Sequence, residues 1–430
     1  MKKRLTATQA REGRAGDSSS VRLAAFRHFL LDRHFALLWS GQTVSNFGSY
    51  ITGIGLPLAA LLLLHATPAQ LAILTALGLL PGLLLGLFIG VWVDRLPRRS
   101  ILIAADIGRA LLLGTIPLLA VSGLLSLPWL YAVIVLAGLL TTLFDIASLA
   151  FLPTLLSPED LPVGNSRLGT SSSLAEVAGP PLAGLLVQAL SVPVAILLDV
   201  LTFLFSAFCV SQIRVREHIR AAESPPPRLW YAIREGMGVV LRQPMLRALA
   251  AYTCMRNFFG GTFAALYLLY AVQLCGENPL LYGLLVAAGG LGALYGSLCA
   301  GWCVRQFGQG RALLCSALLA GLLSLCTPLA GGPIPLAFAL LAFSQLFGDA
   351  GSAIYSINEI SLRQRLIPSN QLGRVNSCMH ILSAGTVPLG ALLAGVLSTV
   401  LGVRLTLWLG ASGICLSFLW LVFSPLRRLS

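Results

Sequence analysis

Glu176, Asp145, Asp349 and Arg256 are ionisable residues set inside long apolar runs of the chain. Where such a run crosses a bilayer, an Asp or Arg near its middle costs roughly 2.5–3.5 kcal/mol, so it is retained for a task or for a partner. The task that suits a carboxyl in apolar surroundings is proton exchange near neutral pH. Glu176 stands roughly eight residues, or ~12 Å, into its run, one turn before Gly179, and no Lys or Arg shares that run. It is therefore the leading proton carrier. Asp145 and Asp349 occupy equivalent places in two other runs, and Arg256 lies about nine residues into a fourth. Asp106 and Arg109, spaced i, i+3, are expected to pair with each other. Asp199 and Glu359 stand nearer the ends of their runs, where either can reach an interface. Proton-coupled transport and structural pairing between helices both account for the group.

The elements that must position these residues are the runs themselves. Apolar blocks lie near 37–62, 70–93, 101–122, 129–152, 170–190, 193–213, 247–272, 280–304, 311–330, 334–356, 376–399 and 402–425. Each has the roughly 20 residues that a helix needs to cross a bilayer, and the backbone of a spanning segment must bond to itself. The expected fold is an all-α polytopic membrane protein of twelve spans. With 57% hydrophobic and 10% charged residues and a mean hydropathy of +0.85, the chain carries too much apolar surface for a soluble domain to bury. The formal charge of +13 does not signal nucleic acid. Lys and Arg cluster before the first span, in alternate connections and at the end, and the remaining connections carry only Arg404. That alternation places both termini in the cytosol of a cell whose inner membrane the chain crosses. The nine cysteines fall mostly within spans and without histidine partners, so they are read as packing residues and not as disulfides or metal ligands.

The chain is also duplicated. A shift of 211 places Asn46-Phe47 on Asn257-Phe258, Pro68 on Pro279 and Gly90 on Gly301; a shift of 204 then places Asp145 and Ser148 on Asp349 and Ser352. The predicted organisation is a basic cytosolic tail (1–33), a six-helix half (34–213), a central cytosolic loop (214–246), a second six-helix half (247–425) and a short cytosolic tail (426–430). In the loop, Pro225-Pro226-Pro227 precedes apolar residues at helical spacing, which predicts a helix lying on the membrane face. Two halves in the same orientation imply a pseudo-twofold axis along the membrane normal and a site between them. Positions such as Gly48 and Thr262 are expected to report on access to that site.

Two motifs carry a family resemblance. Gly90-Val-Trp-Val-Asp94-Arg95-Leu-Pro-Arg98-Arg99 resembles the loop between the second and third spans of the major facilitator superfamily. Gly179-Pro180-Pro-Leu-Ala183-Gly184 resembles the antiporter motif of its exporter branches. Within the superfamily, Leu38-Trp39-x-Gly41-Gln42-x-x-Ser45 and Pro368-x-x-x-x-Gly373-Arg374-Val375 look most like the group of enterobactin exporters and macrolide-efflux drug:proton antiporters. The resemblance implies that Asp94 with Arg95, Arg98 and Arg99 latches the halves at the cytosolic side, Asp94 facing the positive N-terminus of span eleven. The matching loop of the second half, Gly301 to Gly308, has lost the acid, so latching is expected to be asymmetric. For the antiporter motif, Gly179, Pro180 and Gly184 combine a bend with close packing, which would resist leak.

The function expected is secondary export of a small amphipathic organic molecule by proton antiport with alternating access. The proton gradient is the energy source, with no cofactor, and the unit is a monomer in the bilayer. No Walker-type loop is present, so ATP does not drive it directly. His28, His34, His65, His218 and His380 are scattered and no catalytic constellation accompanies them, so the chain does not read as an enzyme. An importer or uniporter of the same fold and a lysophospholipid flippase are the alternatives.

Overall fold

The computed structural model describes residues 33–93, 96–215 and 229–428, and among them every regular element is a helix. The N-terminal half contains α1 (Arg33–Leu58), α2 (Pro68–Val93), α3 (Arg98–Val121), α4 (Leu127–Leu155), α5 (Leu161–Leu190) and α6 (Val192–Ser211). A connecting helix α7 (Leu229–Arg242) leads to α8 (Pro244–Cys275), α9 (Pro279–Phe307), α10 (Gln309–Ser324), α11 (Ile334–Leu366), α12 (Ser369–Leu401) and α13 (Val403–Ser417). Helical turns at Ala59–Leu63, Cys326–Leu329 and Leu419–Val422 extend α1, α10 and α13.

Eleven of these helices are long and apolar enough to cross a membrane, and α2, apolar over Pro68–Leu83, completes the series. Proline within the first helical turns opens α4, α5, α6, α8, α9 and α11, where its missing N–H costs nothing. The tight reversal between α12 and α13 rests on Gly402 at φ +79°, and the equivalent reversal between α5 and α6 is made by Ser191 at φ +87°, a conformation that favours glycine. The sequence-predicted starts of the fifth and eleventh spans and the predicted end of the tenth fall short. Here α5 begins at Leu161, α11 runs on to Leu366 and α12 begins at Ser369. Polar residues at those ends kept them out of an apolar count but not out of a helix.

The pairings repeat between the halves. α1 packs on α5 and α6 as α8 packs on α12 and α13, α2 packs on α4 as α9 packs on α11, and the two halves meet along α5–α9 and α2–α12. At the face bearing the arginine-rich connections the described apolar core is split in two. One cluster around Phe35, Leu102 and Phe151 belongs wholly to the N-terminal half, and another around Leu249, Tyr252 and Leu362 wholly to the second. At the opposite face the cores merge. Leu268, Leu269 and Val403 join the N-terminal cluster, and Ala72 of α2 joins that of the C-terminal half. The bundle is therefore sealed at the face opposite the arginines.

Arg404, the exception to the charge alternation, donates its Nε to the Pro328 carbonyl at 2.9 Å and so caps the end of α10. The helix expected in the central loop is α7. Its Glu235 pairs with Arg374 of α12, and a side chain at Gly236 would meet the Arg374 backbone. α7 is thus docked on the C-terminal half.

Candidate functional site

A cavity of about 510 Å³ lies between the halves and is lined by Tyr50 of α1, Glu176 of α5, Arg256 of α8, Gly289 and Gly290 of α9, and Gln345 and Asp349 of α11, among others. Three of the four residues singled out for transport chemistry, drawn from three separate runs, therefore meet in one space. Glu176 sits at the middle of the 30-residue α5, and Arg256 lies 12 residues from the start of α8. Asp349 is within electrostatic reach of both Arg256 and Glu176, and Tyr50 within reach of Glu176. Two carboxylates face one guanidinium, so with all three ionised the cavity carries one negative charge too many. A proton or a monocationic ligand neutralises it equally well.

Two smaller spaces adjoin. One of about 160 Å³ lies inside the C-terminal half behind Gln345 and Asp349, next to Ser324, Thr327 and Ser344. Another of about 260 Å³ runs toward the arginine-rich face past Asn257, Glu359, Arg363 and His380. Arg256 lines all three.

Glycines of α9 set the spacing of the site. A Cβ at Gly289 would overlap the Asp349 carboxylate, and one at Gly290 would stand 3.2 Å from the Glu176 carbonyl oxygen. Farther from the arginine-rich face, a Cβ at Gly283 would overlap the Pro180 carbonyl oxygen, and one at Gly184 would meet the backbone of Pro279 and Leu280. Gly179 packs against the Tyr50 ring, where a Cβ would stand 2.8 Å from Cγ. Small residues thus let α5 take the Tyr50 ring of α1 on one side and approach α9 at backbone distance on the other. The helix stays continuous through Pro180 and Pro181.

Other sequence-selected residues lie elsewhere. Asp145, equivalent to Asp349 in the duplication, is outside the described cavities and within electrostatic range of Arg109 instead. Asp106 and Arg109 do pair, as predicted, buried in the N-terminal half with the guanidinium stacked between Phe144 and Phe203 at 4.5 and 4.2 Å. Asp199 and Glu359 do not reach an interface. Asp199 is fully buried and is hydrogen-bonded to the hydroxyls of Thr52 and Thr202, whereas Glu359 is 7% exposed and faces Arg363 at 3.4 Å. Gly48 and Thr262 are not cavity positions either, since Gly48 abuts Asp199 and Thr202 and Thr262 packs on Gly410.

Glu176 shares its helix with a cation after all, because the extended α5 includes Arg167, nine residues earlier. Asp94 and Arg95 lie outside the described residues, as does the side-chain environment of Gly90. Arg99 donates to the Val210 and Ser211 carbonyls at the end of α6, at 3.3 and 2.6 Å, within its own half.

Sequence reasoning missed Tyr50, Gln345 and the α9 glycines. Gln345 is an amide in an otherwise apolar stretch, and Gly283, Gly289, Gly290, Gly292 and Gly296 crowd one run. Both were signals of a lined cavity and a close helix contact.

The profile of the Major Facilitator Superfamily matches residues 38–378. The chain belongs to that superfamily and is a multi-pass membrane protein of its transporter fold. It is 26% identical over 405 residues to macrolide efflux protein A of Streptococcus pyogenes, covering 92% of this chain and 97% of the relative. It is 27% identical over 389 residues to the multidrug efflux pump Tap of Mycolicibacterium fortuitum, covering 86% and 90%. The crystal structure of a bacterial homologue of the iron transporter ferroportin, in an inward-facing state, superposes with a TM-score of 0.70 at 19% identity, over 91% of this chain and 98% of that one.

Proposed function

We propose that the chain is a secondary exporter of the inner membrane, with both termini cytosolic, that moves a cationic amphipathic organic molecule outward in exchange for protons. The observation that carries this reading is the cavity in which Glu176 faces Arg256 and Asp349 across the two halves. Its one surplus negative charge is satisfied by a proton or by a cationic substrate, and mutual exclusion of the two is the basis of antiport. With the arginine-rich face in the cytosol, the state described here is closed to the outside, and the α5–α9 seam around Gly179, Pro180 and Gly184 is the seal. Rocking of the halves about the cavity exchanges that seal for one at the cytosolic face, where Asp94 latches with Arg95, Arg98 and Arg99. Two relatives bear efflux names, which supports the outward direction. The transporter works as a monomer in the bilayer, driven by the proton gradient without a bound cofactor.

The test uses everted membrane vesicles with the protein overproduced and erythromycin or ethidium as the cationic probe. Probe should accumulate when the lumen is acidified and should leave when the pH gradient is collapsed. Accumulation confined to right-side-out vesicles would make the protein an importer, and transfer of a labelled lysophospholipid in place of both probes would make it a flippase.

A further inference from the structure

The N-terminal half contains a second set of ionisable groups that the cavity does not use. Asp106 of α3 and Asp199 of α6 are both fully buried, and among the described residues the one cation buried with them is Arg109, 3% exposed. Arg109 pairs directly with Asp106. The hydrogen-bond partners recorded for Asp199 are hydroxyls, Thr52 of α1 on one carboxyl oxygen and Thr202 on the other. The charged groups facing it are few. α3 presents Asp106 and Arg109, and α4 presents Asp145 beyond Arg109. α1 contributes Thr52, and Glu176 of α5 faces the cavity, where Tyr50 is its neighbour on α1.

The count of hydroxyl protons decides the state of Asp199. Thr202 Oγ1 lies 2.8 Å from the Asp199 backbone carbonyl and 2.8 Å from Asp199 Oδ1. It has one proton. Threonine in a helix ordinarily gives that proton to the carbonyl of the preceding turn, as Thr43, Thr142 and Thr406 do here. The contact between Oγ1 and Oδ1 then requires a hydrogen on the carboxyl. Space agrees, since a Cβ at Gly48 would overlap both Asp199 Oδ1 and Thr202 Oγ1, so the carboxyl lies directly on the α1 backbone without a hydration shell. An unpartnered polar atom completes the site. Arg109 Nε is buried without a hydrogen-bond partner, so the network holds donor capacity in reserve for a rearranged state.

We infer that Asp199 is a proton-binding site in the N-terminal half, separate from the central cavity. In the state closed to the opposite face it holds a proton on Oδ1, donated to Thr202. The proton leaves only when α1 moves off α6, whereupon Asp199 becomes a further anion near Arg109, beside Asp106 and Asp145. α1 connects the two sites, because Gly48 and Thr52 meet Asp199 while Tyr50 meets Gly179 and lines the cavity. This site goes beyond the antiport reading and is testable without a substrate.

The experiment is infrared spectroscopy of the full-length protein in lipid nanodiscs at neutral pH. Wild type should show the carbonyl stretch of a dry protonated carboxylic acid. Asp199→Asn should lose that band and melt within about 1 °C of wild type, because Asn reproduces the shape and the donor of the protonated acid. Thr202→Val removes the receiving hydroxyl and should move the band to higher frequency, which serves as the check if Asp199→Asn fails to fold. A band unchanged in both variants overturns the inference. So does an Asp199→Asn protein that is destabilised and then restored by Arg109→Gln, since Asp199 would then be an ionised partner of Arg109.

Discussion

Replacing Gly184 by alanine tests whether the α5–α9 contact is the seal. The added methyl would stand 3.0 Å from both Leu280 Cα and the Pro279 carbonyl carbon, and nearer still to the Pro279 oxygen. Ordinary carbon contacts lie at about 3.5–4.0 Å, so the helices must part by roughly 0.5–1 Å. They meet backbone and cannot yield by rotating a side chain. Overpacking of this kind costs ~1–3 kcal/mol. The cost falls on the state in which the seam is closed and is absent where α5 and α9 have separated. The equilibrium between the two states should therefore shift by roughly 5- to 140-fold toward opening at the sealed face. The assay places a single cysteine at Leu269, 8% exposed within the merged core, in a background without native cysteines, and adds a membrane-impermeant thiol reagent from that side. Gly184→Ala should raise the labelling rate, whereas Gly53→Ala, where no atom lies within 4 Å of the added methyl, should not. Equal labelling in well-expressed Gly184→Ala and Gly53→Ala proteins would refute the assignment of the seal.

Glu176→Gln should abolish uphill transport of the probe in proteoliposomes while downhill exchange continues; uphill pumping with an unaltered dependence on the pH gradient would move proton coupling to Asp349. Asp106→Asn leaves the Arg109 guanidinium buried without its partner and should cost about 3–5 kcal/mol, visible as lost expression and a lower melting temperature. Arg109→Met in the same chain should recover most of that loss, and failure to recover it would show that the pair is more than mutual neutralisation. Asp94→Asn should insert normally, because the arginines that set topology remain, yet transport poorly; near-normal efflux at normal expression argues against the latch.

Composition and order along the chain determined the architecture. Length and apolarity of the runs, alternation of Arg and Lys, and the internal shift of 211 residues specify twelve spans in two equivalent halves, because the bilayer imposes one thickness and one backbone solution on every crossing. The same arithmetic gave depth along each helix, and so the central position of Glu176, Arg256 and Asp349. What it could not give is the direction each helix face points. Asp145 and Asp349 are equivalent by register, yet one is near Arg109 and the other lines the cavity with Arg256. The duplication offers no warning, since the positions matching Arg109 and Arg256 in the opposite halves are Ala320 and Ser45. Lipid-facing and protein-facing sides are both apolar in a spanning helix, so no amphipathic pattern marks the rotation. Gly48 and Asp199 show the consequence, the first looking like a cavity position and the second like an interfacial acid until α1 and α6 are packed together. Helix rotation about the long axis, set by glycine contacts between distant segments, was left to the tertiary structure, and with it the division of the intramembrane acids between a cavity and a closed network.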